Sequence, residues 1–141
     1  MSSNIDFTQT ITANDIHETQ KARLNDELAH LRWQAETGGL LTPDGTLVRT
    51  DRETRASLTE AVNALQAGLM QGPVPWKMAD GWADLSQTEL EAITSAVAGH
   101  VQVCFAAERT VQAQIEASED PASFNTESAF KVALNALQTA A

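Results

Sequence analysis

Tyrosine is absent from this chain and cysteine occurs once, so no intrachain disulfide can form. Only nine Lys and Arg stand against nineteen Asp and Glu, a formal charge of −10. That balance opposes any function in which a basic face must neutralise phosphates, and it argues against DNA or RNA as a partner. No unbroken apolar run approaches the roughly 18 residues of a membrane span, and the first residues lack the basic and apolar blocks of a signal peptide. These shortages together lead to the expectation of a soluble protein made in a reducing cytoplasm, with neither nucleic acid nor membrane as partner.

Catalytic signals are as scarce as cysteines. There is no serine-nucleophile elbow, phosphate-cradling glycine loop or dinucleotide fingerprint. His100 and Cys104 are four apart, which makes them neighbours on a helix and the one pair able to form a thiolate–imidazolium couple or half a zinc site. Two ligands do not make a zinc site, and His17 and His30 lie on a different helix. Flanked by Ile93, Val97 and Val101, the pair reads as a small thiol beside a histidine at the edge of the core. Asp80, Asp84 and Glu91 fall on positions of a calcium-loop template, but Trp82 takes a ligand position and Leu85 the place of its turn glycine. The expectation is no enzyme, no cofactor and no metal.

What is present is an architecture. With 141 residues and 43% hydrophobic content, the chain fits one compact unit burying roughly 68–70% of its unfolded surface. Met1 to Thr12 is polar apart from Phe7 and Ile11 and reads as a flexible arm, residues 1–12. Thr12 with Asp15 opens a first helix carrying Ile16, Leu24, Leu28, Leu31 and Ala35, which Gly38-Gly39 stops. Its charges, Asp26, Glu27 and Glu36 against Lys21, Arg23 and Arg32, read as a solvated face. Pro43-Asp44-Gly45 predicts a hairpin. Thr50 with Glu53 suggests a capping box for a second helix, striped by Leu58, Val62, Leu65 and Leu69 and ending at Gly72-Pro73.

A second hairpin is expected from Val74 to Leu85 around Asp80, with Trp76 and Trp82 as a cross-strand or core-facing pair. Ser86 with Glu89 caps a third helix running unbroken to Ser118, about 50 Å at 1.5 Å per residue. From Val97 its apolar residues come at fours and threes, are interrupted at Glu108, and resume at Val111 and Ile115. That spacing fits a short seam with a second copy, hence a possible homo-oligomer, or else packing against the first and fourth helices. Ser118 to Pro121 reads as a hinge, and Asn125 as the cap of a fourth helix bearing Phe130, Leu134 and Leu137. The fold class is therefore α+β and mostly helical, ordered helix, hairpin, helix, hairpin, long helix, with a C-terminal helix. The reading sets a single α+β domain at residues 13–118 and hinge plus helix at 119–141.

The order of several blocks also resembles a domain-of-unknown-function family found in bacteriophage tail and tail-fibre-associated proteins and in prophage regions. These are Gly38-Gly39, Asp44-Gly45, Thr50-Asp51-Arg52-Glu53, Trp76-Lys77-Met78-Ala79-Asp80, Leu85-Ser86-Gln87-Thr88-Glu89-Leu90 and Ala98-Gly99-His100-Val101 before Phe105. The resemblance covers about two thirds of the chain, from about Lys21 to Ile115. The family's aromatic turn after Gly39 is replaced by Leu40-Leu41-Thr42-Pro43. The resemblance implies a non-enzymatic protein of the virion, at fibre, baseplate or tail tip, assembled in the host cytoplasm and packing against other tail proteins. The alternative it leaves open is a tail-fibre assembly chaperone or adaptor absent from the mature particle. Candidate partner contacts are Phe7, Ile11, Trp33, Phe124, Phe130, Leu134 and Leu137. Trp76, Asp80, Trp82 and His100 are candidate structural positions.

Overall fold

A computed structural model describes residues 12–140, so Phe7 and Ile11 and the expected arm lie outside the described residues. Thr12 and Asp15 exchange hydrogen bonds of 3.1 Å in both directions, a capping box that opens α1, Ala13–Thr37. α1 stops where Gly39 takes φ +102° and where a Cβ at Gly38 would sit 2.7 Å from the Gln34 carbonyl oxygen. β1, Leu40–Leu41, then pairs antiparallel with β2, Leu47–Val48, around the expected Pro43-Asp44-Gly45 turn. Thr42 closes that loop, its amide donating to Thr46 and its carbonyl accepting from Gly45, at 2.9 Å each.

α2 covers Arg52–Gln66, and its cap differs from the expected one. Asp51 accepts from the Thr54 amide at 3.0 Å, while the Thr50 hydroxyl is fully buried and accepts from the Gly39 amide at 2.9 Å. Thr50 is thus spent on the end of α1, and the neighbouring carboxylate takes over the orphan amide. The helix also ends earlier than its stripe suggested. Gly68 reverses the chain at φ +73°, which leaves Leu69 outside the helix and 83% exposed.

β3, Val74–Met78, pairs with β4, Gly81–Leu85, setting Trp76 opposite Ala83 and Lys77 opposite Trp82. This register corrects the expected tryptophan pair. With a side-chain period of two, the tryptophans fall on opposite faces of the ribbon, so Trp76 packs on the core while Trp82 is 73% exposed. Asp80 lies in the exposed turn between the strands.

Ser86 and Glu89 exchange hydrogen bonds of 3.1 Å and open α3, Gln87–Ala117, continuous over 31 residues. Leu90, Val97, Cys104 and Val111 are buried at every seventh position, joined by Ala107 and Ile115. Most of the expected seam is consequently covered within one chain, and Val97, Cys104, Val111 and Ile115 offer no surface to a second copy. α3 also holds an 18-residue window of mean hydropathy 1.3, long and apolar enough by length and composition alone to cross a membrane. Counting unbroken apolar residues missed it because Thr94, His100 and Gln102 interrupt the run. A short 3₁₀ turn, Pro121–Ser123, leads to α4, Thr126–Ala140, whose Asn125 cap accepts from the Ser128 amide at 3.0 Å. The mostly helical α+β class and the order of elements are as the sequence predicts.

Contacts group the described residues into two compact units, one of residues 12–31 and 107–140, the other of residues 32–106. The first buries Leu24, Leu28, Val111, Ile115 and Phe130. In it the Lys21 ammonium donates to the Glu116 carbonyl at 2.8 Å, near the end of α3. The second is built on a cluster of Val48, Leu58, Val62, Leu65, Leu85, Leu90 and Val97, with Trp76, Met78 and Ile93 packed against it.

Candidate functional site

The most unusual chemistry of the molecule lies in the second unit, at a residue the sequence reading placed in solvent. Leu24, Leu28, Arg32 and Glu36 succeed one another at steps of four along α1, so Glu36 continues an apolar stripe and ends 1% exposed. A carboxylate at such depth persists only when paired. Three arginines supply the pairing. Arg32, one turn back, approaches it at 2.5 Å; Arg55 at 2.9 Å and Arg52 at 3.5 Å come from the first turn of α2. Burial alone would push the Glu36 carboxyl up, but hydrogen bonds and charge from Arg55 and Arg32 outweigh it, and the net pKa lies below the ordinary value. Arg32 also stacks over the Phe105 ring, 4.5 Å from its centre.

Three guanidinium groups converge on one carboxylate in a chain whose net charge is −10. Arg55 Nη1 is buried and has no hydrogen-bond partner. Arg55 also lines a groove of about 290 Å³ between α2 and α3, floored by Leu58, Val97 and Val101.

His100 and Cys104 do come together, but not as a reactive couple. His100 Nε2 lies 2.8 Å from the Ala35 carbonyl oxygen, which can only accept, so this nitrogen carries the proton. Cys104 Sγ is 3.8 Å from the same nitrogen, which then has no lone pair to take the thiol proton. Burial, reinforced by the Glu36 charge, pushes the Cys104 thiol up to about 11, so it stays protonated at neutral pH. Among the described residues no three His, Cys, Asp or Glu side chains gather to hold a metal. Asp80, Asp84 and Glu91 are dispersed over a turn, β4 and α3, where Glu91 accepts from Gln87 at 2.8 Å.

The expected contact residues separate by exposure. Trp33 is 48% exposed, Phe124, Leu134 and Leu137 are half-buried, and Phe130 is 3% exposed. Phe130 therefore belongs to the interior of its unit and offers nothing to a partner surface. Leu41, Leu47 and Val132 are exposed apolar residues not expected as contacts, and Trp82 and Leu69, expected in a hairpin pair and in the stripe of α2, are exposed as well. The signal available for Leu41 and Leu47 was the shortness of their strands, which leaves one face of a two-stranded ribbon uncovered.

Residues 19–136 match the family described as domain of unknown function (DUF4376). The chain belongs to that family. No curated protein and no solved structure matches it. The DUF4376 match contains the whole Glu36 cluster, both hairpins, α3 and most of α4, so none of these features lies outside the family domain.

Proposed function

We propose that this DUF4376 protein is a non-enzymatic structural component of a bacteriophage tail, associated with fibre, baseplate or tail tip, that packs against other virion subunits. The reading rests on the family membership together with the resemblance to tail-associated proteins of the blocks between Gly38 and Phe105. The observation that carries its non-enzymatic part is the His100–Cys104 pair, where the single thiol is buried and held protonated beside a nitrogen that already donates. Exposed apolar residues at Leu41, Leu47 and Trp82 supply contact surface of the kind interfaces bury.

Quantitative mass spectrometry of purified phage particles from a producing strain tests the proposal. Stoichiometric presence in the mature particle is the expected result. Presence during assembly with absence from the particle replaces it with the chaperone or adaptor reading, and absence from both overturns the phage assignment.

A further inference from the structure

The ribbon of β3 and β4 carries an inference that does not depend on the phage-tail reading. Exposure alternates along its strands, so one face packs on the core through Trp76, Met78 and Leu85, and the other presents Pro75, Lys77, Trp82 and Asp84 to solvent. Trp82 stands opposite Lys77 and Asp84 opposite Pro75, which puts the two charges on one diagonal of the outer face and Trp82 with Pro75 on the other. Tryptophan is highly buried on average, yet Trp82 is 73% exposed. Among the described residues neither Lys77 nor Asp84 has an ion-pair partner. A partner of a single sign meets repulsion at one of these two charges. The face matches itself, however. Turned through a half-turn about the Trp82–Pro75 diagonal and laid on a second copy, it sets Trp82 against Trp82 and the Lys77 of each copy against the Asp84 of the other.

We infer that the outer face of the β3–β4 ribbon is a twofold docking surface for a second copy of this chain, with the two Trp82 side chains in contact and a Lys77–Asp84 pair on either side of them. The strands of the two ribbons cross steeply, as in orthogonal sheet packing. The tryptophan rings supply the apolar contact, and the charge pairs fix the orientation more than they add affinity. Four side chains per copy are far fewer than the roughly 20–30 residues a side of a standard interface, and two chains of net charge −10 repel at long range. The dimer is therefore weak, with a dissociation constant on the order of 100 μM.

The experiment is sedimentation equilibrium of the full chain from about 10 μM to about 1 mM. The parent chain shows a reversible monomer–dimer equilibrium, and Trp82→Ala weakens it at least about tenfold. Lys77→Glu and Asp84→Lys, each at an exposed position and shown folded by circular dichroism, are each monomeric alone, because the twofold then sets like charges together. Mixed in equal amounts, these two variants form a heterodimer of about the parent affinity, since opposite charges are restored at both contacts. Both variants keep a strongly negative net charge, so general attraction between them does not mimic this result. A parent chain that stays monomeric over the whole range overturns the assignment. So does a dimer that Trp82→Ala leaves unweakened, or a mixture of the two charge variants that stays monomeric.

Discussion

The unit of residues 12–31 and 107–140 and the unit of residues 32–106 solve burial by different means. In the first, the buried set is apolar apart from Thr126, and charges such as Glu127 and Lys131 pair at 3.0 Å on an exposed helix face. In the second, an apolar cluster of similar kind shares the interior with Glu36, Thr50 and the thiol of Cys104. A hydrocarbon interior is indifferent to pH, whereas a buried carboxylate ties stability to its own titration. Among the described residues each unit also keeps buried polar atoms without a hydrogen-bond partner, Asn25 Oδ1 and Thr126 Oγ1 in the first and Arg55 Nη1 in the second.

That contrast can be broken most forcefully at Phe130. Phe130→Ala leaves a cavity in the first unit and is expected to cost about 3–5 kcal/mol by urea unfolding, by the same amount at pH 7 and pH 5. Glu36→Gln removes the charge that holds Arg32 and Arg55 and is expected to cost about 3 kcal/mol at pH 7. Its cost should shrink in acid. The folded pKa of Glu36 lies below its ordinary 4.5, so the network contributes fully above the unfolded value and is lost as pH falls through the lower folded one. Stability measured from pH 6 down to pH 3 should therefore fall more steeply in the parent chain than in the variant; parallel curves would remove the buried pair from the account.

Smaller perturbations sharpen the same comparison. Asp51→Ala deletes the true cap of α2 and should cost about 1 kcal/mol in thermal unfolding, while Glu53→Ala, the partner of the expected capping box, should cost much less. Cys104, with its thiol pushed up to about 11 and its side chain fully buried, should resist iodoacetamide at pH 8 in the native chain and react within minutes once urea unfolds it. Lys131→Ala, which removes an exposed pair, should change stability by less than about 0.5 kcal/mol.

Reading the residues in order recovered features whose causes are local. Thr12 with Asp15, Ser86 with Glu89 and Asn125 each cap the helix they were expected to cap, because a side-chain acceptor three residues from an orphan amide acts within one turn. Pro43-Asp44-Gly45 closes its hairpin for an equally local reason. The failures involve partners distant in sequence. Thr50 was a plausible cap until Gly39, eleven residues earlier, claimed its hydroxyl. Trp82 looked equivalent to Trp76, and only the pairing register put one tryptophan on the core and the other in water. Glu36 read as one more charge on an alternating surface. Its position four residues beyond Arg32 and eight beyond Leu28 was the available warning, and the arginines that answer it come from another helix.

The sequence by itself determined the order of helices and hairpins and most of their ends, α2 excepted, since propensity, capping and turn geometry act over a few residues. The tertiary structure alone decided which polar groups are buried and which apolar groups are left in water. Those outcomes depend on which faces meet, and a side chain's free energy is set by its surroundings after they have met.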